Sequence, residues 1–206
     1  PPSNKTLHKP SAKFRSCFLK FSDFIAINPA HVTFDFLFME IGKMPNYRRY
    51  YINGGTWFFT VNLKNRQSDL LVSRIADLRA AVSAVKNAKP FNIDAWVVLP
   101  EHIHCIWTLP EDDCDFSSRW REIKKRFTKS LPRQAVWQSR FWEHMIRNED
   151  DYRRHVDYIY SNPVKHGWVQ RVQDWPFSTF HRDVRAGMYP GDWAWDTSEY
   201  MVGERK

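Results

Sequence analysis

Two apolar runs, residues 91–99 and 101–109, stand back to back with Pro100 as their only separator. Both are rich enough in β-branched and aromatic residues to be strands, and a proline, lacking an amide hydrogen, closes the first of them. So short a connection leaves no room for a crossover helix, so the two strands must be antiparallel neighbours. Within the second run successive side chains point to opposite faces, so His102 and His104 share one face while Ile103 and Cys105 share the other. Two adjacent imidazoles can hold a metal ion. Taken alone, a His-x-His pattern is more often two unrelated polar residues on a solvated sheet face.

The other elements have to be arranged around this ladder. Thr56–Asn62 follows Gly54-Gly55 and reads as a first strand. Leu71, Ile75, Leu78, Val82 and Val85 recur at helical spacing behind Ser68 and Asp69, which predicts an amphipathic helix. Phe116, Trp120, Ile123 and Phe127 mark a second helix, whose acidic lead-in of Glu111, Asp112, Asp113 and Asp115 suits a helix N-terminus. Residues 141–146 read as a fourth strand, and Asn148 caps a third helix that stops near Pro163. The order β-α-β-β-α-β-α describes an α+β chain: a ferredoxin-like antiparallel sheet with helices on one face.

Residues 1–43 differ in texture, being polar and basic at first and then apolar without a clean period. They are expected to be a poorly ordered N-terminal extension to a functional domain over 44–206. Translation from upstream of a start at Met44 and an accessory arm both fit this pattern. Trp168, Trp175, Trp193 and Trp195 suggest an ordered tail from about residue 170 that folds back over the core.

The third helix carries His155, Tyr158 and Asn162 at i, i+3 and i+7, so they share a stripe, while Tyr160 points roughly away. Tyr158 is either a core aromatic on the packing face or a functional phenol. Asn162, before Pro163, is either a polar helix terminus or an amide tilted toward a cation. A formal charge of +8 with 16% aromatic residues suits a polyanion partner with bases to stack. No stretch approaches the ~18 uninterrupted apolar residues of a membrane span, so a soluble protein is expected. Cys17, Cys105 and Cys114 fit neither a disulfide framework nor a zinc-finger spacing, which points to a reducing compartment.

Arg119, Arg121, Lys124, Lys125, Arg126 and Lys129 crowd the second helix against a lone Glu122, a basic strip suited to phosphates or merely a solvated face. Tyr47, Arg48, Arg49, Tyr50 and Tyr51 combine planes with cations, and Lys165, His166 and Arg182 add positive groups near the tyrosine helix.

Three segments bring these features together: His102-Ile103-His104 behind Trp96-Val97-Val98-Leu99-Pro100, then Arg140-Phe141-Trp142-Glu143-His144, then Asp157-Tyr158-Ile159-Tyr160-Ser161-Asn162-Pro163-Val164-Lys165-His166-Gly167. They closely resemble the REP-associated tyrosine transposases, single-tyrosine HUH endonucleases related to the transposases of small bacterial insertion sequences. The resemblance runs from about Tyr47 to about Trp193. It implies a ferredoxin-like HUH core, His102 and His104 as ligands of Mg²⁺ or Mn²⁺, and Tyr158 as nucleophile. It also implies a monomer in the bacterial cytoplasm, associated with the nucleoid. The implied substrate is single-stranded DNA of a repetitive extragenic palindrome (REP), a hairpin with a short tetranucleotide at its 5′ foot. Insertion-sequence relatives often place a Gln four residues after the tyrosine as third ligand. Here that position is Asn162, one methylene shorter, and His155 is the alternative.

The residue types suit that chemistry. Neutral imidazoles with an amide oxygen leave a cation's charge uncompensated and keep positions open for phosphate and water. A phenol of pKa ~10 is a poor nucleophile until a cation or a base activates it. Attack would leave a 5′-phosphotyrosine and a free 3′-OH, conserving the bond energy for rejoining. The expected function is therefore a metal-dependent, site-specific single-stranded DNA endonuclease and transesterase, the alternative being a hairpin-binding protein without turnover.

Overall fold

The computed structural model describes residues 51–129, 131 and 135–195. The 1–43 extension, the proposed DNA contacts Tyr47, Arg48 and Arg49, and the tail beyond residue 195 lie outside the described residues.

The chain runs β1 (Thr56–Asn62), a one-turn α1 (Leu70–Ser73), α2 (Ile75–Ala88), β2 (Asn92–Val98), β3 (His102–Thr108), α3 (Phe116–Lys129), β4 (Trp142–Met145), α4 (Glu149–Lys165), a 3-10 turn (Val172–Asp174) and α5 (Phe180–Arg185). The strands pair antiparallel in the order β2-β3-β1-β4, the ferredoxin-like arrangement that the element order implies. The turn at Pro100 is tight, with the Leu99 amide donating to the His102 carbonyl at 2.9 Å. The single predicted helix from Leu71 to Val85 is broken at Arg74 into α1 and α2, with Leu71 still buried.

Both faces of the sheet are covered. Trp57, Phe59, Val61, Ile103, Cys105 and Trp107 pack against α2 and α3. Phe58, Ala95, Val97 and Ile106 pack against α4 and the C-terminal segment. The expectation of helices on one face therefore holds for the two crossover helices, whereas α4 takes the opposite face. That second layer overturns the solvated-face reading of the histidines: His102 is 1% exposed and His104 is fully buried.

The C-terminal segment shields the open edge of β2, as an exposed ladder would otherwise invite pairing. The Val98 amide donates to the Phe177 carbonyl at 2.9 Å and the Thr179 amide to the Trp96 carbonyl at 2.9 Å. Trp175 Nε1 donates to the Val98 carbonyl at 3.0 Å, so the tail does fold back on the core. Arg182 is part of this seam. Its guanidinium donates to the carbonyls of Ile93 and Asp94 and to the Asp183 carboxylate, so it pins α5 to β2 while its side chain stays 44% exposed.

Arg119 also departs from expectation. It is 1% exposed, and its guanidinium donates to the carbonyls of Lys89, Pro90 and Asp115 and to the Asp113 carboxylate at 2.6 Å. Every direction of the fork is used to close the chain around the N-terminus of α3. Arg119 is a structural cation, whereas its neighbours Arg121, Lys125, Arg126 and Lys129 face solvent. Arg119→Ala leaves the partly exposed Asp113 carboxylate and three carbonyls without their donor and is expected to cost about 2–3 kcal/mol in urea unfolding, whereas Arg121→Ala is expected to stay within about 0.5 kcal/mol.

Candidate active site

The tyrosine helix is fixed at both ends by local chemistry. At its start the Asn148 side chain accepts from the Asp151 amide at 2.8 Å, and Glu149, Asp150 and Asp151 fill the first turn, complementing the helix dipole. Pro163 does not end it: α4 continues to Lys165 and stops at Gly167, whose φ of 73° is the left-handed conformation that closes a helix. The amides of His166, Gly167 and Trp168 then return to the carbonyls of Asn162, Val164 and Pro163.

This geometry lays one stripe of α4 along β3. The Tyr158 ring is 5.1 Å from the His104 ring and the His166 ring is 5.2 Å from the His102 ring. Asn162, one turn from each, lies between them and is fully buried. The two histidine rings meet edge to face at 4.7 Å. Lys165 Nζ stands 4.9 Å from the centre of the Tyr158 ring.

Each histidine is oriented by a second residue that the sequence reading passed over. Nδ1 of His102 is hydrogen-bonded to Glu101 Oε1 at 2.9 Å, and Nδ1 of His104 to Thr60 Oγ1 at 2.9 Å. Burial pushes the Glu101 carboxyl up, but the His102 bond and the nearby Arg66 charge outweigh it and hold the group below its ordinary range. Such carboxylate–imidazole pairs fix the ring and direct the other nitrogen to a ligand. Glu101 was visible beside His102 in the turn. Thr60 was not, because only the β1–β3 register sets it opposite His104.

His102 Nε2 and both amide atoms of Asn162 are buried and have no hydrogen-bond partner among the described residues. Leaving a buried polar atom unmade costs ~1–3 kcal/mol, so such a set is retained where a ligand satisfies it. An imidazole nitrogen and an amide oxygen are donors that suit a divalent cation.

His155, the alternative third ligand, is not brought to this set. Its Nδ1 meets the Asp151 carbonyl at 2.7 Å and carboxylate at 3.1 Å, and its ring stacks on His144 at 4.7 Å. His144 Nε2 in turn meets the same carboxylate at 2.9 Å. His144, Asp151 and His155 place their ligand atoms within 4.8 Å of one another, so the group has the geometry to hold a metal, but these atoms already bond each other across β4 and α4. Burial pushes the Asp151 carboxyl up, and the bonds from both histidines and the Arg147 amide more than reverse this, holding it far below the usual carboxylate range. Phe58 separates the two clusters, 5.6 Å from the His104 ring and 4.8 Å from that of His155.

The remaining candidates divide by position. Tyr160 donates to the buried Asp183 carboxylate, and burial with that charge raises its pKa strongly, which suits a structural phenol. Arg121, Lys124, Lys125 and Arg126 lie on α3, across the sheet from Tyr158. Lys124 there donates to the Gln138 carbonyl at 3.2 Å and packs over the rings of Trp137 and Phe141. Of the cations proposed to touch DNA, Lys165 is the one beside the tyrosine among the described residues.

No family model matches the chain. It is 67% identical over 162 residues, 79% of this chain and 98% of the relative, to the REP-associated tyrosine transposase of Escherichia coli strain K12. A Haemophilus influenzae relative named for the same family is 43% identical over 175 residues, covering 78% of this chain and 99% of its own. A solved structure of the REP-associated tyrosine transposase bound to a REP hairpin matches with a TM-score of 0.75 at 67% identity, covering 79% of this chain and 99% of that one. Fold and relatives together define an enzyme of the nuclease and transposase class. Within that class, the chain belongs to the family of REP-associated tyrosine transposases. Among the described residues no helix is long and apolar enough to cross a membrane.

The Asp151 clasp carries a pH signature. A carboxyl whose folded pKa is depressed contributes stability that is full above its unfolded value of ~4 and is lost as pH falls below it. Asp151→Asn is expected to lower unfolding stability at pH 7 by about 1.5–3 kcal/mol, and the gap to wild type should narrow progressively below pH ~4. Urea midpoints at pH 7 and pH 3 check both statements.

Proposed function

We propose that this chain is a metal-dependent, site-specific single-stranded DNA endonuclease and transesterase. It binds REP hairpins as a monomer in the bacterial cytoplasm and cleaves them through a covalent 5′-phosphotyrosine on Tyr158, from which the strand can be rejoined. The observation that carries the reading is the Tyr158 ring 5.1 Å from His104, beside a His102 whose Nε2 is buried without a partner among the described residues, as is the amide of Asn162 on the Tyr158 stripe. Membership of the family, and the hairpin-bound structure of a relative, support the substrate.

His102, His104 and Asn162 would hold Mg²⁺ or Mn²⁺. Asn162 is preferred to His155 because the His155 ring is engaged with Asp151 and His144. The ion, when bound, would supply charge stabilisation to the phosphate as its 3′ oxygen is displaced. Glu101 and Thr60 keep the two imidazoles in register for that task. The Lys165 ammonium beside the Tyr158 ring favours the phenolate and meets the phosphate's negative charge. The phenol gives its proton to water and its oxygen bonds to phosphorus in line as the bond from phosphorus to the 3′ oxygen breaks; that oxygen takes a proton from water and leaves as a 3′-OH, so no net proton is consumed. Attack by the same 3′-OH on the phosphotyrosine runs the step backward. Arg121, Lys124, Lys125 and Arg126 are assigned to hairpin phosphates farther from the cleaved bond, and Tyr47, Arg48 and Arg49 are assigned to the hairpin as well.

A 5′-labelled and a 3′-labelled REP hairpin, each incubated with the protein and Mg²⁺ or Mn²⁺, test this directly on a denaturing gel. Wild type is expected to form a protein–DNA adduct that carries the strand on the 3′ side of the break. Tyr158→Phe should abolish the adduct while keeping hairpin affinity within about twofold, and Tyr160→Phe should retain it. An adduct formed by Tyr158→Phe would move the nucleophile elsewhere, and hairpin binding without adduct by wild type would leave a binding protein. Glu101→Gln, which loosens His102, should lower metal affinity or cleavage by roughly 10–100-fold in a metal titration.

A further inference from the structure

The cluster left unused by this chemistry, His144, Asp151 and His155, leads to an exposed ring. Trp142 begins β4 and is 44% exposed, unusual for the largest apolar side chain. It pairs with Thr60 on one side of β1 while His104 pairs with Thr60 on the other. His104, Thr60 and Trp142 therefore form a row across three strands on one sheet face. At ~4.8 Å per strand, the Cα atoms of His104 and Trp142 are about 10 Å apart. The edge of the indole meets Phe58 at 5.6 Å, and Phe58 in turn meets Tyr158 at 6.0 Å.

The orientation of the indole is also set. Its plane parallels that of His144 within 6° at 5.9 Å, and His144 parallels His155 within 15° at 4.7 Å. The Asp151 carboxylate bonds both histidines, so the three rings form a ladder locked at its buried end and open at Trp142. Tyr51 and Trp168, the other large exposed aromatics among the described residues, lie outside the sheet; Tyr51 stacks on Phe116 and Trp168 packs against Trp175. Arg140, two residues before Trp142 in the chain, is exposed as well. A pre-oriented exposed aromatic is what an unpaired base stacks on, since every base offers a π-face.

We propose that Trp142 is a stacking platform for an unpaired nucleobase flanking the cleaved phosphate, held in orientation by the His144–Asp151–His155 clasp. This rests on the functional reading above. Trp142 is a positioning residue: it fixes where the single strand lies relative to Tyr158 and leaves the paired stem to other surfaces.

The test uses the full chain with two synthetic REP hairpins, one with an unpaired 5′ extension and one blunt, and with 2-aminopurine placed in turn at each unpaired position. Wild type should bind the extended hairpin more tightly and quench 2-aminopurine at one position above the others. Trp142→Ala should weaken the extended hairpin about 5- to 100-fold, abolish that quench and leave the blunt hairpin unchanged. Trp142→Phe, which keeps a ring, should restore most of both. Unchanged affinity and quench in Trp142→Ala overturn the proposal. Equal weakening of both hairpins, or a Phe variant as poor as Ala, also overturns it, because that is a folding or stem-contact effect. If wild type binds neither hairpin, the functional reading itself fails, and the platform with it.

Discussion

The site depends on α4 lying flat against the sheet face that carries Phe58, His102 and His104. Without that layer the two imidazoles would be ordinary surface groups. With it they are sealed from water beside a phenol and an amide from the helix. Phe58 is the centre of the contact, touching His104, Tyr158, His155 and Trp142 at once. Burying a ring of that size is worth roughly 1.5–3 kcal/mol, and here it also sets the spacing between strand and helix. Low-dielectric surroundings strengthen every charge interaction made inside them.

Opposite kinds of restraint hold the two ends of α4. Its N-terminal turn is tied to β4 by a carboxylate shared between two histidines, a charge-assisted clasp. Its C-terminal end is closed by backbone bonds around Gly167. Between them the helix buries Asn162 with nothing among the described residues to satisfy it. Buried polar groups of this kind break the rule by which cores are assembled, and natural chains break it chiefly where function requires. The rigidity of the ends is what allows the middle to carry that cost.

Charge illustrates how far composition reaches. The net charge of +8 and the crowding of Arg and Lys on α3 and near the tyrosine helix pointed to a polyanion, and the family agrees. Buried Arg119 did not follow the pattern, and exposed Arg182 has a structural use beside any other. Arg119 and Arg182 spend their donors on backbone carbonyls and on Asp113 and Asp183, holding α3 and α5 in place. A guanidinium's fork fits carbonyl clusters as well as phosphates, and a linear sequence does not distinguish the two uses.

The element order, the tight turn at Pro100, the shared face of His102 and His104, and the shared stripe of Tyr158 and Asn162 were all legible in the sequence, because each rests on the two-residue period of a strand or the 3.6-residue period of a helix. Those periods say which side chains travel together and nothing about what they meet. That α4 takes the face opposite α2 and α3, that Thr60 stands beside His104, that His155 turns to Asp151 instead of His102, and that Trp142 lies in line with the site were decided by tertiary structure alone. Register between strands far apart in the chain, and the face a helix chooses, are settled by the packing of whole layers, and no local pattern encodes that competition.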